Sequence, residues 1–130
     1  MGSAKQVTTE NFRETVEQGG IVLLDFWAPW CGPCRSFAPV FEKVAADNPD
    51  ITFGKVNTDE ETELSGTFEI QSIPTLMVFR DRVLLYSQPG ALGTSALEDI
   101  VRQVRAVDME RVREELAAQR NKSGEGTPQA

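Results

Sequence analysis

The stretch "IVLLDFWAPWCGPC" at residues 21–34 runs from apolar residues into Cys31 and Cys34, which are the chain's only cysteines. The almost unbroken apolar run at 21–28 is typical of a strand that is buried on both faces. Downstream, apolar residues recur at helical spacing and predict a helix over 33–48. The cysteines therefore lie where a buried strand passes into a helix.

The rest of the chain alternates between strand and helix patterns, which predicts an α/β fold. Ser95 and Glu98 have the spacing of a capping box, so a helix is expected to begin there. The other predicted elements are strands at 51–57, 75–79 and 83–87, a short helix with Thr8 or Thr9 as its N-cap, and a weaker helix at 60–68.

The chain has 130 residues, of which 40% are hydrophobic and 25% charged, as in a single globular domain. The formal net charge of -7 disfavours nucleic acid or an anionic membrane as a partner. No apolar stretch approaches the roughly 20 residues of a membrane span. The first residues also lack the apolar core of a signal peptide. We therefore expect a cytoplasmic protein.

Composition divides the chain into four parts. We expect a disordered N-terminus or tag remnant at 1–5, a main domain at 6–107, a helical extension at 108–120 and a disordered tail at 121–130. The extension carries a thin apolar stripe through strongly charged sequence. It is interpreted as a solvated helix, with a dimer or partner contact as the open alternative.

Two cysteines three positions apart suit a metal site, a structural disulfide or a reacting pair. Tetrahedral zinc needs four protein ligands, or three and a water, and the chain has no histidine. Zinc shared between two copies of the chain remains open. A disulfide that closes so short a loop constrains the unfolded chain little. Cytoplasmic thiols are normally reduced unless they are redox-active, so a reacting pair is favoured.

The start of a helix suits a reactive thiol, because its free N–H groups and positive end stabilise an anion. We expect a lowered pKa for Cys31, which makes it the attacking thiolate. Cys34 lies within the helix, is less accessible, and can reach the sulfur of Cys31. It would then resolve the mixed disulfide formed with a substrate. An inert buried pair is the structural alternative.

Four blocks, "DFWAPWCGPCR", "APVFEKVA", "KVNTDE" and "IPTLMVFRD", resemble consecutive blocks of the thioredoxin family in the same order and at similar spacing. The resemblance spans about residues 6–105. It implies a thioredoxin fold, in which helices flank a central mixed β-sheet, here with a C-terminal helical extension. The implied activity is protein-disulfide reduction by dithiol–disulfide exchange. Gly32 and Pro33 between the cysteines favour a reductant, since oxidases and isomerases of this fold usually carry histidine there.

The resemblance also implies roles for two charged residues. Asp25 matches the family's buried aspartate, and its parity with Leu23 and Trp27 places it among apolar side chains, where desolvation raises a carboxyl pKa. Such a group could exchange a proton with Cys34. Lys55 shares a strand face with apolar residues, and the resemblance implies that it pairs with Asp25. A solvated carboxylate and a lysine that reaches solvent are the alternatives.

The substrate groove is likewise implied by the family. Pro74 matches the family's cis-proline, beside which an extended substrate backbone binds. Ile73 and Gly90 would line the same groove, and Trp27 and Trp30 would surround the cysteines. Core packing is the alternative role for Trp27. The chain departs from the family in the "RDR" turn at 80–82 and in Pro89, which removes a backbone donor near the groove and leaves partner preference open.

The family further implies that no cofactor is bound besides the redox-active Cys31–Cys34 pair. NADPH and FAD would belong to a thioredoxin reductase that recharges the protein. Disulfide-containing substrates such as ribonucleotide reductase, peroxiredoxins or methionine sulfoxide reductase are the expected partners, and a monomer is expected. The alternative function is a binding subunit of the same fold whose partner role does not depend on redox state.

Overall fold

In the computed structural model, which describes residues 4–126 and side chains as far as residue 121, a five-stranded sheet forms the centre. The strand order is β1-β3-β2-β4-β5, with β1, β3 and β2 parallel and β4 and β5 antiparallel to their neighbours. The strands are β1 (Lys5–Gln6), β2 (Ile21–Trp27), β3 (Thr52–Asn57), β4 (Thr75–Arg80) and β5 (Val83–Pro89).

Helices cover both faces of this sheet. They are α1 (Phe12–Glu17), α2 (Gly32–Asp47), α3 (Thr62–Thr67), α4 (Thr94–Ala106) and α5 (Met109–Gly126). Side chains of α2 and α4 pack with Leu23 of β2 in one apolar cluster, while side chains of α1 and α3 pack with Val22 and Leu24 in another. The predicted mixed sheet with flanking helices is confirmed, and β2 is buried on both faces because successive side chains enter different clusters.

The predicted capping box of α4 was wrong. The helix begins at Thr94, its N-cap is Gly93, and no side chain caps it. Ser95 is therefore already inside the helix, two positions after the N-cap. Pro39 lies inside α2, which continues through it to Asp47.

The β4–β5 turn consists of fewer residues than the "RDR" motif suggests. Arg80 is the last residue of β4, and Asp81 and Arg82 form the turn with φ angles of 51° and 73°. A two-residue hairpin loop with positive φ at both positions matches the twist of the strands. The Asp81 carboxylate also accepts a hydrogen bond from the Gly20 N–H at 3.1 Å, which fixes the turn against the start of β2.

Two of the predicted segment limits differ from the structure, namely the start of the main domain at residue 6 and the end of the extension at residue 120. Ala4 donates its N–H to Glu42 at 3.1 Å, and Lys5 pairs with Gly54 in the sheet, so these two residues are ordered. A strand of two residues is too short to show an alternating side-chain pattern, which is why the sequence did not reveal it. At the other end, α5 continues to Gly126, beyond the predicted end of the extension. Residues 1–3 and 127–130 lie outside the described residues.

The extension is attached to the domain at its first turn. Met109 is buried, and Arg80 donates hydrogen bonds from Nη1 to the carbonyls of Val104 and Val107 at 2.8 Å and of Arg105 at 3.2 Å. From Arg111 to Asn121, the side chains of α5 are almost all exposed. Over the described range, no helix is long and apolar enough to cross a membrane.

Candidate functional site

The two cysteines occupy the first turn of α2. Cys31 is the N-cap, with extended backbone angles, and its Sγ accepts a hydrogen bond from the Cys34 N–H at 3.2 Å. A disulfide joins the two sulfurs, and the Cα atoms are 5.2 Å apart. Pro33 lies in the first helical turn, where its missing N–H leaves no hydrogen bond unmade. The helix start therefore directs a free N–H and its positive end at Cys31, as the sequence predicted.

The loop between β2 and α2 is held from two sides. Arg35 donates from Nη1 to the Pro29 carbonyl at 2.9 Å. The Trp30 indole N–H donates to the Asp59 carboxylate at 3.1 Å, although 67% of the Trp30 side chain remains exposed. Trp30 is thus an exposed aromatic ring in a fixed orientation next to Cys31.

Asp59 was missed by the sequence reasoning. It lies in the loop after β3, where its own N–H donates to Asn57 at 2.9 Å. The one signal that could have pointed to it is its place in the quoted "KVNTDE" block. Its hydrogen bond with Trp30 joins residues that are 29 positions apart, and a local sequence pattern does not predict such a contact.

Asp25 lies in the middle of β2 with no exposed surface. Burial raises the pKa of its carboxyl to about 7, and the positive charge of Lys55 opposes this rise in pKa. Within the described part of the chain, neither carboxylate oxygen has a hydrogen-bond partner. Asp25 is therefore a buried acid that ionises near neutral pH, which is the property that proton exchange with a thiol needs.

Lys55 is the register partner of Asp25 in the neighbouring strand β3. The two residues form no ion pair within 4.0 Å among those found in residues 4–121. The Lys55 ammonium instead lies 4.7 Å from the centroid of the Trp27 ring, a cation–π distance. Lys55 therefore acts on Asp25 through its charge, from the neighbouring strand, and not through a direct ion pair.

The Ile73–Pro74 peptide is cis and lies against the cysteines. The Ile73 carbonyl oxygen is 3.6 Å from the Sγ of Cys31. Gly90 donates its N–H to the Pro74 carbonyl at 2.8 Å, with a φ of 116°, a region that favours glycine. The structure therefore brings Cys31, Ile73, Pro74 and Gly90 together at one surface.

The remaining predicted site residues are also accounted for. Trp27 and Ile73 pack, partly buried, against a small cluster that contains both cysteines and Ala28. Gly32 is exposed beside Cys31, and a Cβ there would meet no atom within 4 Å. Within the described residues, no group of three or more histidine, cysteine, aspartate or glutamate side chains could hold a metal ion.

Comparisons with known proteins agree on one family. The family model described as Thioredoxin matches residues 3–103. The Streptomyces coelicolor protein named "Putative thioredoxin 2" is 50% identical over 124 residues, which cover 95% of this chain and 92% of that protein. A solved structure of Plasmodium falciparum thioredoxin is 33% identical with a TM-score of 0.71, over 77% of this chain and 98% of that one.

A third comparison concerns a structural study of the thiol resolving mechanism in yeast mitochondrial 1-Cys peroxiredoxin via glutathione/thioredoxin systems. The matching chain there is 29% identical with a TM-score of 0.71, over 78% of this chain and 95% of that one. The family match over most of the chain, the mixed sheet and the Cys31–Cys34 disulfide at a helix start lead to one conclusion. The chain belongs to the thioredoxin family and is a thiol-disulfide oxidoreductase.

Proposed function

We propose that this protein is a general protein-disulfide reductase of the cytoplasm that acts as a monomer, with Cys31 as nucleophile and Cys34 as resolving thiol. The observation that carries the proposal is the hydrogen bond from the Cys34 N–H to the Sγ of Cys31 at the start of α2. This N–H and the positive helix end stabilise a thiolate on Cys31 in the reduced protein, and they do so for no other thiol in the chain.

Reduction of a substrate takes two exchange steps. The Cys31 thiolate attacks one sulfur of the substrate disulfide, forms a mixed disulfide and releases the other substrate sulfur as a thiolate. The Cys34 thiolate then attacks the Sγ of Cys31, forms the intramolecular disulfide and releases the second substrate sulfur. Two electrons pass to the substrate, whose thiolates take up protons, and the protein is left in the disulfide form.

Asp25 is proposed to handle the proton in the second step. Cys34 must lose a proton to become a nucleophile, and a carboxylate with a pKa of about 7 is half ionised at neutral pH. The same group can return the proton when the disulfide is reduced again. Lys55 acts as its electrostatic partner because its charge keeps the pKa of Asp25 lower than burial alone would.

The substrate is proposed to bind in the groove around the cis peptide. Ile73, Pro74 and Gly90 adjoin Cys31 and would hold an extended substrate backbone, with Trp30 as an exposed apolar contact beside the sulfur. Trp27 packs behind the cysteines and supports the groove from within. Recognition through the substrate backbone and an exposed apolar ring suits a reductase with many protein substrates.

The electrons are proposed to come from a thioredoxin reductase that uses NADPH and FAD, while this chain itself binds no cofactor. Ribonucleotide reductase, peroxiredoxins and methionine sulfoxide reductase are the proposed classes of substrate. The structural resemblance to a chain studied with a yeast 1-Cys peroxiredoxin supports the peroxiredoxin class. The Gly32–Pro33 dipeptide supports the reducing direction.

A redox titration followed by tryptophan fluorescence tests the direction of the reaction. We expect a reduction potential near that of thioredoxins, about -270 mV. A value near about -180 to -120 mV, as in isomerases and oxidases, would contradict the assignment.

A trapping experiment tests the roles of the two cysteines. Cys34→Ser should accumulate a mixed disulfide with insulin or with cell proteins, because the resolving step is lost. The matched variant Cys31→Ser should trap nothing. Trapping by Cys31→Ser alone would reverse the assignment, and full cellular activity of the double variant would favour a redox-independent binding subunit.

A further inference from the structure

A cavity of about 220 Å³ lies beside the groove formed by the Ile73–Pro74 peptide and Gly90. Ser72 and Thr75, which flank the cis peptide in sequence, both line the cavity, and Pro89 lines it next to Gly90. Three of its lining residues are thus direct chain neighbours of the residues that form the groove. The cavity therefore adjoins the surface at which a disulfide substrate is proposed to bind.

The charge that lines this cavity is negative. Glu69 is its only ionisable lining residue, and within the described residues no lysine or arginine lines it. Gln71, Ser72 and Ser87 add neutral oxygen acceptors. The Glu69 side chain is exposed and has no ion pair within 4.0 Å in the part of the chain that the structure describes.

Glu69 is presented from an ordered backbone. Its φ of 53° is in the left-handed region, and its N–H donates to the Gly66 carbonyl at 3.0 Å. The next N–H, of Ile70, donates to the Ser65 carbonyl at 3.0 Å. These bonds close the end of α3, so the carboxylate starts from a fixed position at the cavity edge.

We propose that this cavity accepts a lysine or arginine side chain that lies close to the reactive cysteine of the substrate protein. The Glu69 carboxylate would pair with the cationic group, and the neighbouring hydroxyl and amide oxygens would accept its remaining N–H groups. This chain then reduces disulfides with basic flanking residues faster than those with acidic ones. The inference rests on the proposed function and adds a substrate preference to it.

Kinetics with matched peptides test this preference. Three disulfide peptides are made identical except for one residue beside the cysteine, which is lysine, glutamine or glutamate. The rate constant of their reduction by the prereduced protein is measured at low ionic strength. Since an exposed charge pair changes affinity about two- to fivefold, we expect the lysine peptide to exceed the glutamate peptide by at least that factor.

Variants of the protein distinguish an ion pair at Glu69 from a general attraction of basic peptides by the negative net charge. Glu69→Gln should lower the lysine-to-glutamate rate ratio about two- to fivefold, and Glu69→Lys should invert the preference. The matched control is Glu63→Gln, which removes the same charge from exposed α3 outside the cavity. It should leave the ratio unchanged.

Two results with the variants would overturn the inference. One is an unchanged ratio in Glu69→Gln, and the other is an equal fall in Glu69→Gln and Glu63→Gln. If the wild-type protein reduced none of the peptides, including the glutamine peptide, the proposed function would fail together with the inference. Reduction of all three peptides at equal rates would overturn the inference alone.

Discussion

Replacement of the buried carboxyl by an amide, Asp25→Asn, should make the protein more stable at neutral and alkaline pH. The pKa of Asp25 rises from 3.8 to about 7 in the folded protein because of burial, against the lowering effect of Lys55. One pKa unit corresponds to about 1.4 kcal/mol, so ionised Asp25 destabilises the folded state by about 4 kcal/mol. The asparagine side chain is never ionised and avoids this penalty.

The sign of the pH dependence follows from proton binding. Between pH 4 and 7 the folded protein holds a proton on Asp25 that the unfolded chain has lost, so the stability of the wild type falls as pH rises through this range. The stabilising effect of Asp25→Asn should therefore be small at pH 4, grow to about 4 kcal/mol near pH 7, and stay constant above it.

Urea unfolding of the two oxidised proteins from pH 4 to 9 measures this difference. The oxidised form is used because the disulfide-bonded cysteines do not titrate. Asp50→Asn is the control of opposite sign, since hydrogen bonds from Arg105 lower the pKa of Asp50. Its substitution should reduce stability by an amount that stays constant from pH 4 to 9, because that contribution is lost only at a pH below the ordinary pKa of 3.8. An Asp25→Asn effect on stability that does not change with pH would contradict a raised pKa of Asp25 in the folded protein.

Three further substitutions have defined outcomes. Lys55→Met should raise the pKa of Asp25 further, because the positive charge that lowers it is removed. In the same urea experiments, the stability of this variant should therefore level off at a higher pH than that of the wild type. Gly54→Ala should reduce stability by about 1–3 kcal/mol, because its Cβ would lie 2.5 Å from a Val7 methyl; a loss below about 0.5 kcal/mol would contradict this. Arg80→Met should lose about 1–3 kcal/mol and speed amide exchange in the first turn of α5, and unchanged exchange would show that Arg80 does not hold the extension.

Much of the site could be predicted from short stretches of sequence. The apolar run of β2 predicts a strand buried on both faces, and the helical spacing after it places Cys31 at a helix start. These are local properties, because a strand or helix pattern is complete within about ten residues. The chemistry of the CxxC pair follows from that position, so the reacting pair could be inferred before any fold was known.

Other features depend on residues that are far apart in sequence. Three interactions join separate elements: the hydrogen bond from Trp30 to Asp59, the hydrogen bonds from Arg80 to the end of α4, and the strand pairing of Lys5 with Gly54. Hydrogen bonds between distant backbone or side-chain groups leave no periodic pattern. They were therefore missed or, at the N-terminus, predicted as disorder.

The sequence alone is enough to infer the α/β class, the reactive position of the cysteines and the alternation that turns Asp25 toward apolar side chains. It does not show how completely Asp25 is removed from water or how Lys55 acts on it, because both depend on how the strands are arranged. A carboxyl pKa depends on the elements that exclude water and on the charges nearby, and strand order sets both. The electrostatics of the site are therefore a property of the assembled sheet.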